Sequence, residues 1–173
     1  GSEMCIRDRY VISAPGHWMN AKTRLKFSPK SAKTYKLKYK TSNKKIATIS
    51  KNGIIRAKKK GTVTITAIAK NNKKAKATTK VTVGKVVKTL KFKEGTKKTV
   101  TAGKKFTLHP TYSPKKASTK AVTFKSSNKK VATVTSKGKV TAKKAGKVTI
   151  TATCKDAKGK KAKFIVTVKA APA

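Results

Sequence analysis

Two stretches of this sequence are nearly the same: Ser42-Asn43-Lys44-Lys45-Ile46-Ala47-Thr48-Ile49 and Ser127-Asn128-Lys129-Lys130-Val131-Ala132-Thr133-Val134. The first stretch begins at position 42 and the second at position 127, which gives a period of 85 residues. The same period, without a gap, carries Pro29 onto Pro114, Gly53 onto Gly138 and Gly61 onto Gly146. The chain of 173 residues therefore contains one module twice. Tandem modules are typical of an array rather than of one compact enzyme.

The period divides the chain into segments. We expect a first module at residues 20–85, a second at 86–169 and a C-terminal tail at 170–173. Residues 1–19 do not match the repeat and begin like a cloning scar followed by adapter read-through. We expect them to be non-native or disordered, although residues 10–13 could pair as a strand. The opening strand and turn within 86–107 have no counterpart ahead of the first module. We therefore expect that module to be truncated, with an unpaired sheet edge.

Apolar residues alternate with polar ones throughout each module. Val63, Ile65 and Ala67 alternate with threonines, and the pattern returns one period later at residues 148–152. Alternation with a period of two is typical of strands that bury one face, and no helical stretch of comparable length is present. Glycine-containing turns at 52–53 and 136–138 separate such runs. Short strands with frequent turns predict an all-β fold, as tandem immunoglobulin-like antiparallel β-sandwiches.

The charge of the chain is strongly unbalanced. Lys and Arg number 47 against 4 Asp and Glu, a formal net charge of +43. Few lysines can therefore have an acidic partner within the chain, and the folded state repels itself. Arginine, which supplies the planar fork for bidentate recognition, occurs only at positions 7, 9, 24 and 56. This composition favours diffuse attraction to anionic polymers over sequence-specific reading.

Catalytic and metal-binding chemistry has little support in this sequence. General acid-base catalysis needs a positioned pair of titrating groups, and the chain offers two histidines and four carboxylates. His109 corresponds to Arg24 in the other copy, so the module does not depend on it. Cys5 and Cys154 occupy non-equivalent positions without metal-ligand spacing. We predict no catalytic residues, no metal, no cofactor and no small-molecule substrate.

Lysines that recur at the period are the candidate binding residues. A solvated surface explains any single one, whereas the whole set makes association with polyanions hard to avoid. The predicted polyanion-binding residues are Lys30, Lys40, Lys44, Lys45, Lys58, Lys59, Lys70, Lys73 and Lys76 with their equivalents Lys115, Lys125, Lys129, Lys130, Lys143, Lys144, Lys155, Lys158 and Lys161.

The second copy carries a recognisable pattern of segments in order. Ser-Ser-Asn-Lys-Lys-Val-Ala-Thr-Val is followed by Gly138-Lys139-Val140-Thr141-Ala142, then Gly146 and Thr149-Ile150-Thr151-Ala152, and it ends on Val166-Thr167-Val168. This pattern resembles the bacterial Ig-like domain of group 2, over residues 24–84 in the first copy and 86–169 in the second. The resemblance implies a β-sandwich from a secreted or surface-anchored bacterial protein. It also implies a stalk or adhesive unit without enzymatic activity.

Three functions are compatible with these features. The first is a non-catalytic, monomeric pair of extracellular or cell-surface modules that binds anionic polymers by non-specific lysine electrostatics. The expected polymers are nucleic acid, teichoic acid and other cell-wall polymers, or sulfated and sialylated glycans. An anionic membrane surface is a further expected partner. The alternative is a passive stalk or spacer of a larger cell-surface adhesin, in which the charge serves solubility or cell-wall retention. A specific glycan or receptor adhesin would need a defined pocket or an aromatic patch, and the sequence reveals neither.

Overall fold

The computed structural model describes residues 3–6, 10–21, 25–28 and 36–173, with the backbone alone described at residues 3–6, 25–28 and 72–74. All regular elements in these ranges are β-strands. The chain divides into two compact units, Gly1–Val86 and Val87–Ala173. Each unit is built from a four-stranded sheet, a three-stranded sheet and a separate pair of strands. The predicted tandem of all-β sandwiches is confirmed.

The described residues of the first unit form nine strands. They are β1 (Glu3–Ile6), β2 (Tyr10–Ile12), β3 (Trp18–Asn20), β4 (Leu25–Ser28), β5 (Leu37–Thr41), β6 (Ala47–Ile49), β7 (Ile54–Ala57), β8 (Gly61–Ala69) and β9 (Asn72–Val83). The larger sheet has the order β2-β9-β8-β5, the smaller one β3-β7-β6, and β1 pairs with β4. All pairs are antiparallel except β2 with β9, which is parallel.

The second unit repeats this topology. Its strands are β10 (Thr89–Phe92), β11 (Lys97–Thr101), β12 (Lys105–Thr107), β13 (Pro110–Ser113), β14 (Val122–Ser126), β15 (Ala132–Val134), β16 (Lys139–Ala142), β17 (Gly146–Cys154) and β18 (Lys161–Lys169). The sheets have the orders β11-β18-β17-β14 and β12-β16-β15, and β10 pairs with β13. Here the parallel pair is β11 with β18.

Alternation along the central strands places the apolar residues between the sheets. In β8, Val63, Ile65 and Ala67 are buried while the intervening threonines remain partly exposed. In β17, Val148 and Ile150 are buried in the same way. Hairpin glycines have the backbone that the sequence predicts, since Gly53 and Gly138 have φ values of 81° and 86°. Period-two patterning therefore predicted the central strands and their turns correctly.

We expected residues 1–19 to be non-native or disordered, with a strand allowed at residues 10–13; that strand is present as β2, and residues 18–20 form a further strand, β3. β2 lies beside β9, with Tyr10 opposite Val81, and β3 lies beside β7. Ile12 and Ala21 are buried in the core of the first unit. The same places in the second unit are filled by β11 and β12. The edge that we expected to be unpaired is therefore covered by β2.

The correspondence between the N-terminal strands of the two units was missed because their loops differ in length. Val81 and Val166 are separated by one period. The residues that pair with them from the parallel strands, Tyr10 and Lys98, are separated by three residues more than the period. An ungapped comparison cannot detect such an offset. Strands of three residues also carry too little pattern to be recognised on their own.

The two cores differ in composition. In the second unit, Phe92 and Phe164 are buried and pack edge to face, with ring centroids 5.9 Å apart. The buried residue at the period equivalent of Phe164 is Thr79, which carries no ring. Aromatic side chains contribute most to the packing of small cores. Among the described residues, the core of the first unit is therefore less aromatic than that of the second.

Candidate functional site

Two lysine-rich turns meet at one end of the first unit. The carbonyl oxygen of Ile46 accepts hydrogen bonds from the backbone N–H groups of Lys58, at 2.8 Å, and Lys59, at 3.1 Å. This joins the turn between β5 and β6 to the turn between β7 and β8. We call the exposed lysines of the two turns the paired-turn cluster; in this unit they are Lys44, Lys45, Lys58, Lys59 and Lys60.

The second unit forms the same cluster. The carbonyl oxygen of Val131 accepts hydrogen bonds from the N–H groups of Lys143, at 2.8 Å, and Lys144, at 3.2 Å. Its cluster consists of the exposed residues Lys129, Lys130, Lys143 and Lys144. The backbone of Lys104 adjoins it, since its carbonyl oxygen accepts the N–H of Ala142 at 2.9 Å. Residues far apart in sequence are thus brought together in both units.

Asparagine fixes the first turn of each cluster. The side-chain oxygen Oδ1 of Asn43 accepts the backbone N–H of Lys45 at 2.9 Å, and Asn128 does the same for Lys130 at 3.0 Å. An Asn side chain that bonds backbone two residues ahead stabilises a turn locally.

In each unit, the strand that follows the two turns begins with a glycine that lies close against the first turn. Gly61 has a φ of 147°, and a Cβ atom at this position would lie 2.7 Å from Cδ1 of Ile46. Gly146 has a φ of 151°, and its Cβ would lie 2.9 Å from Cγ2 of Val131. A side chain at either position would clash with the residue whose carbonyl joins the turns. The close approach of the turns therefore depends on glycine.

Other predicted lysines lie elsewhere. Lys70 and Lys155 follow β8 and β17, and therefore stand at the opposite end of each unit, about 27 Å away along a nine-residue strand. The remaining members are placed as follows: Lys158 in the loop before β18, Lys76 and Lys161 on β9 and β18, Lys40 and Lys125 exposed on the edge strands β5 and β14, and Lys115 in the turn after β13. Lys73 is in β9, where the backbone alone is described, and Lys30 lies outside the described residues. The predicted set therefore divides into separate surfaces.

Asp156 has a role that the sequence did not reveal. Its side chain is fully buried, and Oδ2 accepts the backbone N–H of Val87 at 2.7 Å. Oδ1 accepts the N–H groups of Lys158 and Gly159, both at 3.0 Å. The carboxylate thus ties the first residue of the second unit to the loop between β17 and β18. The sequence contains no pattern from which such a role could be predicted, because the partners of this carboxylate are backbone N–H groups.

The carboxylate of Glu94 is hydrogen-bonded to His109. It accepts the backbone N–H of His109 at 2.9 Å and contacts Nδ1 of the ring. Burial acts to raise the pKa of Glu94, but these hydrogen bonds outweigh it, and the pKa lies below its ordinary value. The carboxylates of Glu94 and Asp156 are thus engaged with His109 and with backbone groups, consistent with a lysine surface that carries its charge outward.

A pocket of about 580 Å³ opens beside the paired-turn cluster of the first unit. It is lined by Tyr39, Lys40, Thr41, Lys44, Thr48 and Ile49, from β5, β6 and the turn between them. The hydroxyl oxygen of Tyr39 is itself buried, with no hydrogen-bond partner among the described residues. Burial also raises the pKa of Tyr39, so the phenol is neutral. Sequence reasoning missed this pocket; the only signal was that Tyr39 becomes Phe124 in the second copy.

The described ranges provide neither a metal site nor a membrane-spanning helix. Those residues contain no group of three or more His, Cys, Asp and Glu side chains placed to hold a metal ion. They also include no helix with the length and apolar character needed to cross a membrane.

The family model of the bacterial Ig-like domain (group 2) matches this chain twice, over residues 20–83 and 86–165. These matches cover most of the sequence, so the chain belongs to this family, as two tandem copies. The resemblance drawn from the repeated segments is confirmed.

Several solved structures are similar to this chain. Surface layer protein SbsC, domains 1–6, is 18% identical with a TM-score of 0.45, covering 100% of this chain and 28% of that one. Drosophila N-cadherin EC1–4 is 12% identical with a TM-score of 0.42, covering 98% and 50%. A C-terminal fragment of intimin, in complex with the intimin-binding domain of its translocated receptor, is 14% identical with a TM-score of 0.40, covering 98% and 64%. This chain thus spans little more than a quarter of the SbsC structure. A comparison with curated proteins gave no match.

Proposed function

We propose that this chain is a non-catalytic pair of extracellular, surface-associated Ig-like modules that hold anionic polymers through the paired-turn clusters. The observation that carries the proposal is the double hydrogen bond to the Ile46 carbonyl, which joins two lysine turns, together with its equivalent at Val131. The ligands are linear polyanions such as nucleic acid, teichoic acid or acidic glycans. Family membership supports the extracellular setting.

Lysine chemistry favours this kind of binding. An ammonium group is a compact, hydrated point charge that attracts phosphate or sulfate without demanding one geometry. Five such groups on two joined turns present charge within a small area, where they release several counterions from a polymer at once. Binding of this type has little sequence preference and is strongly salt-dependent.

The test measures affinity of the full chain for a mixed-sequence DNA duplex, heparin and teichoic acid between 50 and 200 mM NaCl. If one cluster neutralises five phosphates, the slope of about −0.9 per phosphate predicts an affinity loss of roughly 500-fold over this range for the duplex. A dissociation constant that stays the same across the salt series would rule out the proposal.

A charge-matched pair of variants tests the cluster itself. The first replaces Lys58, Lys59, Lys143 and Lys144 with Ala; the second replaces Lys70, Lys76, Lys155 and Lys161, which lie outside the clusters. Both remove four exposed lysines and leave the same net charge. We expect the cluster variant to lose affinity about tenfold more than its control and to show a shallower salt slope. Equal losses would mean that total charge, rather than the cluster, determines binding.

The alternative is a passive spacer within a larger cell-surface adhesin. Tandem copies of one domain and membership of this family favour it. Under this alternative, the cluster variant of the intact parent protein would adhere to cells as strongly as the wild type. Adhesion of the cluster variant to cells therefore separates the two functions.

A further inference from the structure

The pocket beside the first cluster combines two kinds of surface. Tyr39 and Ile49 give it an aromatic and an aliphatic wall, and Thr48 adds a hydroxyl group. Lys40 and Lys44 also line it, and both are exposed to solvent. Its volume of about 580 Å³ falls within the roughly 300–1,000 Å³ that is usual for small-molecule sites. Diffuse binding to a polyanion requires no such concavity.

The equivalent position in the second unit is built differently. Phe124 replaces Tyr39, and its ring stacks on that of Phe92 with centroids 6.4 Å apart. The lysines are retained, since Lys125 and Lys129 correspond to Lys40 and Lys44 at the period. The two units therefore share the charges, while in the first the aromatic ring lines an open pocket.

From this combination we propose that the pocket binds one acidic pyranose residue of a glycan chain. The apolar face of the sugar ring packs on Tyr39 and Ile49, and its acidic group is bound by Lys40 and Lys44. This inference rests on the proposed function and narrows it, because it assigns acidic glycan as the preferred polyanion of the first unit.

The chemistry of the lining favours a sugar over a nucleic acid. A duplex presents phosphates on its outside and offers no free ring face to a pocket between two strands. A pyranose presents both an apolar face and hydroxyl groups, which match the aromatic wall and the Thr48 hydroxyl. A carboxylate or sulfate on the ring supplies the acceptor that two ammonium groups require. An oligonucleotide stacking on Tyr39 is the competing outcome of the test.

The experiment uses the full chain at 300 mM NaCl, where screening weakens diffuse attraction. The probes are oligogalacturonate, a sulfated oligosaccharide, polyphosphate and oligothymidylate of matched charge. We expect the wild type to bind one or both acidic oligosaccharides at least fivefold more tightly than polyphosphate and oligothymidylate. The preferred oligosaccharide identifies the acidic group. Preference for oligothymidylate, or equal affinity for all four probes, would overturn the inference.

Two matched variants locate the site. Lys40→Ala with Lys44→Ala should weaken oligosaccharide binding about tenfold, whereas Lys125→Ala with Lys129→Ala should change it less than twofold. Both pairs remove equivalent charges, including one cluster lysine each. Equal losses would contradict glycan binding in the pocket and leave the polyanion function in place. Loss of salt dependence in the wild type would instead overturn the polyanion function.

Substitutions of Tyr39 test the aromatic wall. Tyr39→Leu should weaken oligosaccharide binding, and Tyr39→Phe, which keeps the ring, should not. A thermal melt verifies that both variants are folded. Retained binding in a folded Tyr39→Leu protein would contradict the assignment independently of the lysine variants.

Discussion

The carboxylate of Asp156 accepts the backbone N–H of Val87 at 2.7 Å, across 69 positions of sequence. Two further N–H groups, from Lys158 and Gly159, are held by the same side chain. A buried donor that loses its acceptor costs about 1–3 kcal/mol. The start of the second unit and the loop before β18 therefore share one anchor.

Replacing Asp156 with Ala should destabilise the second unit by roughly 3 kcal/mol, because three N–H groups lose their acceptor. Denaturant unfolding of the full chain measures the change. Asn71 is the period equivalent, and it is exposed, so Asn71→Ala provides a matched control with an effect below about 0.5 kcal/mol. Similar effects of the two substitutions would contradict an anchoring role.

Cys154 offers a probe of the same region. Burial raises the pKa of its thiol to about 11, and the charge of Asp156 adds to this effect. The thiolate is the reactive form, so a disulfide reagent at pH 8 should modify Cys154 only when the second unit opens. In a Cys5→Ser background, native protein should react at least a hundredfold more slowly than unfolded protein, and Asp156→Ala should accelerate the reaction. Rapid modification of native protein would contradict the buried placement.

The sequence predicted the central strands because their pattern is local. Val63, Ile65 and Ala67 alternate within one strand, and the burial of that strand follows directly from the alternation. β3 was missed because a three-residue strand is defined by its partner, β7, rather than by its own residues. Recognition of such strands requires knowledge of the sheet.

The candidate site was predicted as a set of residues but not as an arrangement. Lys44 and Lys58 were both predicted because they recur one period later. The turns that carry them are joined by hydrogen bonds between the Ile46 carbonyl and the turn between β7 and β8. Long-range backbone bonds leave no signal in composition or spacing. Asp156 shows the same limit, because its partners are main-chain N–H groups that any residue could supply.

The Glu94 and His109 pair predicts a small acid effect. The pKa of Glu94 is lowered from its ordinary value of 4.5, so the pair stabilises the fold above that pH, and this stability is lost as the pH falls through the lower folded value. Melting temperatures at pH 7 and pH 3 should show a smaller advantage of the wild type over Glu94→Gln at pH 3. An advantage that is the same at both pH values would show that the carboxylate charge contributes nothing.

Lysine repulsion predicts stabilisation by salt. The formal charge of +43 is left largely uncompensated, and screening shortens its range from about 30 Å at 0.01 M to about 8 Å at 0.15 M ionic strength. Raising NaCl between these values should increase the melting temperature by several degrees, where each 1 kcal/mol corresponds to about 4–8 °C. The variant lacking Lys58, Lys59, Lys143 and Lys144 should gain less. A melting temperature indifferent to salt in both proteins would show that repulsion is unimportant.

Tyr39 predicts a stabilising substitution. Its hydroxyl oxygen is buried without a hydrogen-bond partner among the described residues, and the equivalent residue in the second unit is Phe124. Tyr39→Phe should therefore stabilise the first unit by about 1 kcal/mol, because an unsatisfied buried hydroxyl is removed and the ring is kept. The reciprocal change, Phe124→Tyr, should destabilise the second unit, since it adds a hydroxyl beside the stacked rings of Phe92 and Phe124. Denaturant unfolding measures both; a loss of stability in Tyr39→Phe would mean that the hydroxyl has a partner in solution.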